Sequence, residues 1–325
     1  MNAAMAALPE PADSRIIDLR KISAEDLLPV LEEEAAAWKS ELEWDLRPAT
    51  ELVQRFVQMQ ALNGYALDYR GSIIGYAYYV CEEGKGLIGD LYVLARARTP
   101  EHENSLIQAV LDSLWRVPGI RRVEAQLLML GPPVPRLMPY PLWFHAYPRK
   151  FLEMPAAKVS RLTPRPVDRI AIAPWTERRQ DDSARLVAAA YRGHIDSEIN
   201  DQYRAPAGAR RFLANIVQYP GCGTFFAPAS YAATDAQSGG LCGMSLASLV
   251  ASDVGHITQV CVAPSHRGTG LGYELLRRSL LALAAHGCRS VSLTVTASNA
   301  AAARLYERMG FTQRREFAAC VWNSR

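Results

Sequence analysis

The sequence predicts an α/β (α+β) protein built as two tandem domains, each with a central sheet flanked by helices, and three observations predict it. A short apolar, β-branched run, Ile257-Thr258-Gln259-Val260-Cys261-Val262, leads through a glycine-rich turn into a helix whose leucines recur at helical spacing. The order of strands and helices leading up to that turn occurs twice in the 325 residues, a length long for one domain and comfortable for two. Nine of the twenty prolines lie between Pro132 and Pro166, so the junction of the copies belongs there.

Along the first copy, Arg15-Ile16-Ile17-Asp18-Leu19-Arg20 reads as a strand, and Ser23 with Asp26 three residues on opens a helix over 24–38. A second helix spans 50–62. Tyrosine- and isoleucine-rich runs at 65–69 and 73–80, joined at Arg70-Gly71-Ser72, form a hairpin. A strand at 87–94, a helix at 101–115 and a strand at 121–130 complete the copy. The order then repeats: a strand at 169–172, helices at 181–191 and 207–218, and a hairpin of 224–233 with 241–251 around the loop 235–240. After the strand 257–262 comes a helix carrying leucines 271, 275, 276, 280 and 283, with Glu274, Arg277 and Arg278 on its other side. Val291, Leu293 and Val295 alternate with Ser292, Thr294 and Thr296 as a strand. Ser298-Asn299 caps a helix over 300–309, and Gly310 stops it. The expected division is a disordered tail at 1–14, a first domain at 15–130, a proline-rich connector at 131–167 and a second domain at 168–325.

A hydrophobic share of 49%, a charged share of 21% and a net charge of +3 describe a soluble globular chain, and so small a charge gives no sign of a nucleic-acid partner. No run approaches the twenty apolar residues of a membrane helix, and residues 1–14 lack the basic start of a signal peptide. The six cysteines show neither paired nor metal-ligand spacing, so they read as reduced thiols of a cytoplasmic protein with no metal. Cys222, between two glycines, reads as part of a tight turn.

Chemistry concentrates in His266-Arg267-Gly268-Thr269-Gly270-Leu271-Gly272. Glycines 268, 270 and 272 let backbone approach an anion with no β-carbon in the way, while the first helical N–H groups and the helix dipole point at it. Arg267 adds a charge, so the expected guest is a diphosphate. The spacing R-x-x-G-x-G differs from the G-x-G-x-x-G of nicotinamide-binding turns. The next strand ends in Thr296-Ala297-Ser298, without their acidic residue, which disfavours that reading. Asn299 and Tyr306 stand two helical turns apart, on one face. The first copy has Ala95-Arg96-Ala97-Arg98-Thr99-Pro100-Glu101-His102-Glu103 instead, with no glycine, and anion binding there is poor.

This order, from about Gly255 to Phe311, resembles the GCN5-related N-acetyltransferase (GNAT) superfamily, whose cofactor motif is R/Q-x-x-G-x-G/A followed by a strand and an Asn-to-Tyr helix. The doubled layout is similar to its tandem members, mycothiol synthase among them. The resemblance implies two domains with mixed, mostly antiparallel sheets, of which the second binds acetyl-CoA and the first is a degenerate supporting copy. It places Val260, Cys261 and Val262 along the pantetheine arm and residues Arg267, Gly268, Thr269, Gly270, Leu271 and Gly272 on the diphosphate. Asn299 would lie on the cofactor arm, and Tyr306 at the thioester sulfur as general acid. A carboxylate base common in the family is absent, since Thr258 and Gln259 stand there; His256 is a candidate base. The segment that usually borders the acceptor holds Tyr191, His194, Asp196, Glu198 and Tyr203, suited to a small cationic amine. The expected function is acyl transfer to the primary amine of a small molecule by a chain more readily monomeric than dimeric. A protein or peptide N-acetyltransferase and a non-catalytic acyl-CoA sensor are the alternatives.

Overall fold

The computed structural model describes residues 14–82, 84–130, 136–219 and 221–324. Strands and helices follow in the order β1 (Ser14–Asp18), α1 (Ala24–Leu42), α2 (Arg47–Gln58), β2 (Gly64–Tyr69), β3 (Ser72–Glu82), β4 (Lys85–Val93), α3 (Pro100–Arg116), β5 (Arg122–Gln126) and β6 (Phe144–Pro155). They continue with β7 (Ile170–Pro174), α4 (Gln180–Ala190), α5 (Asp196–Ile199), α6 (Pro206–Gln218), β8 (Thr224–Phe225), β9 (Tyr231–Asp235), β10 (Leu241–Ala251), β11 (Val254–Val262), α7 (Leu271–His286), β12 (Ser290–Thr296), α8 (Ala300–Met309) and β13 (Thr312–Asn323). The chain forms two compact units. One runs to Tyr147 and takes the chain up again at Phe317; the other is Pro148–Glu316.

Each unit has the same plan. In the first, β1, β2, β3, β4 and β5 lie in that order, with the end of β13 on β5, and every pair is antiparallel except β4 with β5. In the second, residues 149–155 of β6 are followed by β12, β11, β10, β9 and β7, again antiparallel except for β11 with β12; β8 lies on β10. Two mixed, mostly antiparallel sheets flanked by helices therefore stand in tandem.

Local chemistry explains the main elements. Helix α1 opens with a reciprocal capping box between Ser23 and Asp26, which satisfies two orphan N–H donors. Helix α7 buries Leu271, Leu275, Leu276, Leu280 and Leu283 completely and stops at Gly287 in the left-handed region. Fully burying a leucine contributes about 1.5–3 kcal/mol, so that stripe fixes the helix against its sheet.

Several elements differ from the sequence reading. The expected strand over 224–233 is split into β8 and β9 by a turn at Ala227–Ala229 that contains Pro228, whose missing N–H cannot join a ladder. Strand β6 occupies part of the expected connector, and β13 follows the last expected helix; neither has the simple alternation that marks β12. Tyr140 stacks on Trp143 at 5.1 Å, and Phe144 lies 5.2 Å from Trp322, so aromatics of that stretch pack within the first unit. The tail expected at 1–14 lies outside the described residues apart from Ser14, which begins β1; Pro132, Pro133 and Pro135 also lie outside them. Among the described residues no helix is long and apolar enough to cross a membrane.

Candidate functional site

The register of the second sheet makes an opening. Strands β11 and β12 pair only from Val254↔Ser290 to Ile257↔Leu293. A bulge at Thr258, opposite the step from Leu246 to Ala247, then redirects β11. Beyond it, alternation in the antiparallel pair turns Cys261 toward β10, because the Ala263 N–H already donates to the Cys242 C=O two residues on. Val260 and Val262 consequently direct their peptide groups to the splayed side. Of the three residues expected along a cofactor arm, these two face the opening. Cys261 does not, and burial pushes its thiol up to about 12, which leaves it inert.

The glycine turn follows immediately. Gly268 and Gly270 have φ values of 78° and 90°, a region costly for any residue with a β-carbon. Gly270 is the N-cap of α7 and offers no side-chain cap; the first bond into the helix is from Glu274 N–H to the Gly270 C=O, at 3.0 Å. The N–H groups of the first turn are thus left facing outward, as anion binding requires. Thr269 folds back onto the His266 C=O. Arg267, at the start of the turn, keeps its charge and is tethered by one guanidinium N–H to the Ala190 C=O at the end of α4. Glu274 is held at about 2: burial alone would raise it, but hydrogen bonds from Arg277, the Arg165 N–H and Arg278 win.

The same framework in the first unit is closed. Strands β4 and β5 part after Ile88↔Ala125, and a bulge falls at Gly89. Here the Leu91 N–H is taken by the Asp90 carboxylate at 2.8 Å, and the Val93 C=O by the Arg98 guanidinium at 3.1–3.2 Å. Thr99 caps α3 with its own hydroxyl, donated to by the His102 N–H at 3.2 Å, and Pro100 brings no N–H to the first turn. Side chains satisfy in this copy what the second copy leaves open.

A compact polar cluster of the second unit gathers around Asp196. Thr296 donates its hydroxyl to the Asp196 carboxylate, whose other oxygen lies 3.7 Å from Nδ1 of His194. The far nitrogen of that ring meets the Asn299 amide at 3.3 Å, while the Asn299 Oδ1 caps α8 by accepting the Ala302 N–H. Tyr191 stands edge-on to His194, stacks on Tyr203 at 4.5 Å and accepts a hydrogen bond from Gln259 at 2.8 Å. Burial, reinforced by the negative charge of Asp196, raises the phenols of Tyr203 and Tyr306; in Tyr191 burial and the neighbouring Tyr203 act before it. All three phenols therefore keep their protons at neutral pH. Tyr306 is buried on α8, edge-on to Phe311.

Two expected residues fall elsewhere. His256 lies inside the sheet with Nδ1 2.9 Å from the Ser292 hydroxyl and its ring stacked on Phe151; burial first, then Arg149, pushes it down to about 3. A ring so weakly basic takes no proton from an ammonium, which removes it as the base. Glu198 is exposed and paired with Arg204 at 3.0 Å, pointing its charge into water. Thr296 was missed, since a threonine ending an alternating strand carries no distinguishing signal.

Residues 184–311 match the acetyltransferase (GNAT) family. A mycothiol acetyltransferase of Thermobispora bispora is 45% identical over 60 residues, 18% of this chain and 20% of the relative, so the similarity spans only a fifth of that protein. A GCN5-related N-acetyltransferase from Sphaerobacter thermophilus has a similar structure, with a TM-score of 0.66 over 98% of this chain and 97% of that one at 18% identity. A tandem GNAT protein from the clavulanic acid biosynthesis pathway superposes with a TM-score of 0.63 over 95% of this chain and 98% of its own at 15% identity. The open strand edge and uncapped glycine turn lie inside the matched residues, and the doubled plan recurs in the solved structures. Residues 184–311 thus match the acetyltransferase (GNAT) family, and the whole chain has the doubled fold of tandem GNAT proteins.

Proposed function

We propose that the second unit is an acyl-CoA-dependent N-acyltransferase that uses acetyl-CoA and acts on the primary amine of a small molecule, with the first unit a supporting copy. The observation that carries this reading is the contrast between the copies. One framework occurs twice, and only in the second are the strand edge at Val260 and Val262 and the helix end at Gly270 left for a ligand.

The residues fit such a guest. Val260 and Val262 would pair with the amide-bearing pantetheine arm, and residues 268–272 would hold its diphosphate. Bound acetyl-CoA supplies an acetyl group activated as a thioester. Asp196, with Tyr191 and Tyr203 beside it, receives the ammonium form of the acceptor. His194 braces that carboxylate, with Nδ1 accepting the Asp196 N–H and Nε2 against the Asn299 amide. The Val260 N–H faces the place where negative charge develops on the carbonyl oxygen. Tyr306, protonated because it is buried, holds the proton that a leaving thiolate requires.

The test is release of free thiol from acetyl-CoA against a panel of small amines and of peptides with free N-termini. Turnover with a small amine that exceeds turnover with every peptide is the expected result. Faster turnover with peptides would favour a protein substrate, and tight CoA binding with no turnover on any acceptor would favour a sensor.

A further inference from the structure

The arginine of the glycine motif is not the only one near the phosphate turn. Arg267 is tethered by one guanidinium N–H to the Ala190 C=O, and Arg277 and Arg278 pair with the Glu274 carboxylate. Another arginine stands at the same helix end. Residues 163–165 cross the start of α7: the Thr163 C=O accepts the Tyr273 hydroxyl at 2.9 Å, and the Arg165 N–H donates to Glu274 at 3.2 Å. These two bonds fix the crossing segment. They leave the Arg165 side chain lying on the Tyr273 ring, with its guanidinium carbon 4.7 Å from the ring centroid. A β-carbon built on Gly270 would sit 3.8 Å from Cδ of Arg165, so the side chain passes directly beside the N-cap glycine. Among the described residues no carboxylate pairs with this guanidinium.

We propose that Arg165 is a cationic partner of the turn, gripping the diphosphate of the CoA nucleotide from outside the glycine motif. This deepens the reading of the site given above and rests on it. Arg165 lies outside residues 184–311, so its contribution belongs to this chain and not to the motif. A guanidinium suits the task because its fork donates two parallel hydrogen bonds to a phosphate. Stacking on Tyr273 holds the planar group in place before the ligand arrives, which lowers the entropy lost on binding. Glycine at 270 serves the left-handed turn.

The experiment is calorimetric titration of the full chain and of R165A and R165K with CoA, with dephospho-CoA, which keeps the diphosphate and lacks the 3′-phosphate, and with pantetheine, which has neither. Arg165 is exposed, so R165A is expected to keep the melting temperature of the unaltered protein. A charge-assisted hydrogen bond of about 1.5–3 kcal/mol predicts that R165A binds CoA and dephospho-CoA more weakly by the same factor, roughly ten-fold or more. Pantetheine binding should not change, and R165K should fall between. Equal CoA affinity of R165A and the unaltered protein overturns the proposal. So does a loss confined to CoA, which would move Arg165 to the 3′-phosphate. No CoA binding by the unaltered protein overturns the site itself, and the role of Arg165 with it.

Discussion

At the scale of single residues, the proposed chemistry rests on Tyr306 and Asp196, and each makes a separable prediction. Phenylalanine at 306 keeps the ring against Phe311 and loses only the hydroxyl, so Tyr306→Phe should lower kcat by about two to four decades while leaving acetyl-CoA affinity nearly unchanged. An equal loss in both would show the hydroxyl to be a binding group. Asp196→Asn retains the shape and an acceptor for Thr296 but removes the charge among the phenols. It should raise KM for a cationic amine by roughly ten- to hundred-fold and leave that for acetyl-CoA alone, as steady-state kinetics with each substrate varied would show. The same substitution should bring the Tyr306 phenol down toward its ordinary value, which ultraviolet titration reads. How much of this was legible follows from where the signal lies. Glycines 268 and 270 and the Asn299 cap announce themselves, because left-handed backbone and helix starts admit few residue types. His256 misled because a side chain's type does not say where the fold will bury it. The sheet around His256 is a tertiary fact.

At the scale of elements, the strands that alternate cleanly and the helices with a leucine stripe were readable, and those defined by their neighbours were not. β13 carries Gln313, Arg314 and Arg315 before it turns apolar, and only residues 319–323 pair with β5, so its strand character comes from neighbours and not from alternation. The first unit shows what an element can do when its ligand functions are sealed. Glu34 of α1 is fully buried and accepts the Tyr76 hydroxyl at 2.7 Å. Burial, with Asp90 of β4 close by, raises its carboxyl well above the usual range, and burial raises Asp90 as well. A folded pKa above the unfolded one means the native state binds protons the unfolded state has released. The pair's favourable contribution is therefore present below the ordinary carboxylate range and is lost as pH rises through the raised values. Asp90→Asn keeps an oxygen for the Leu91 N–H and removes one of the two charges. Its melting temperature should exceed that of the unaltered chain by a few degrees at pH 8, and the gap should close toward pH 4. A gap independent of pH would mean that the carboxyls do not share this burden.

At the scale of the whole molecule, two copies of one framework raise the question of how many ligands a chain holds. Duplication alone predicts two. Three sealed positions argue for one: the Leu91 N–H held by Asp90, the Val93 C=O held by Arg98, and the α3 N-terminus capped by Thr99 and Pro100. A ligand would have to displace each of these half-buried side chains before its own contacts could form. Among the described residues of the second copy, no side chain caps the N-terminus of α7 at Gly270. Calorimetry should therefore give one acetyl-CoA per chain. Gly270→Val should bring that number to zero, since valine at a φ of 90° is strained and sets branched carbons beside the diphosphate and Arg165. Because the strain sits at the end of one helix whose leucine stripe is untouched, circular dichroism of Gly270→Val should match that of the unaltered chain. Two sites of similar affinity would show that the first unit binds as well, and one site that survives Gly270→Val would remove the turn as the binding site.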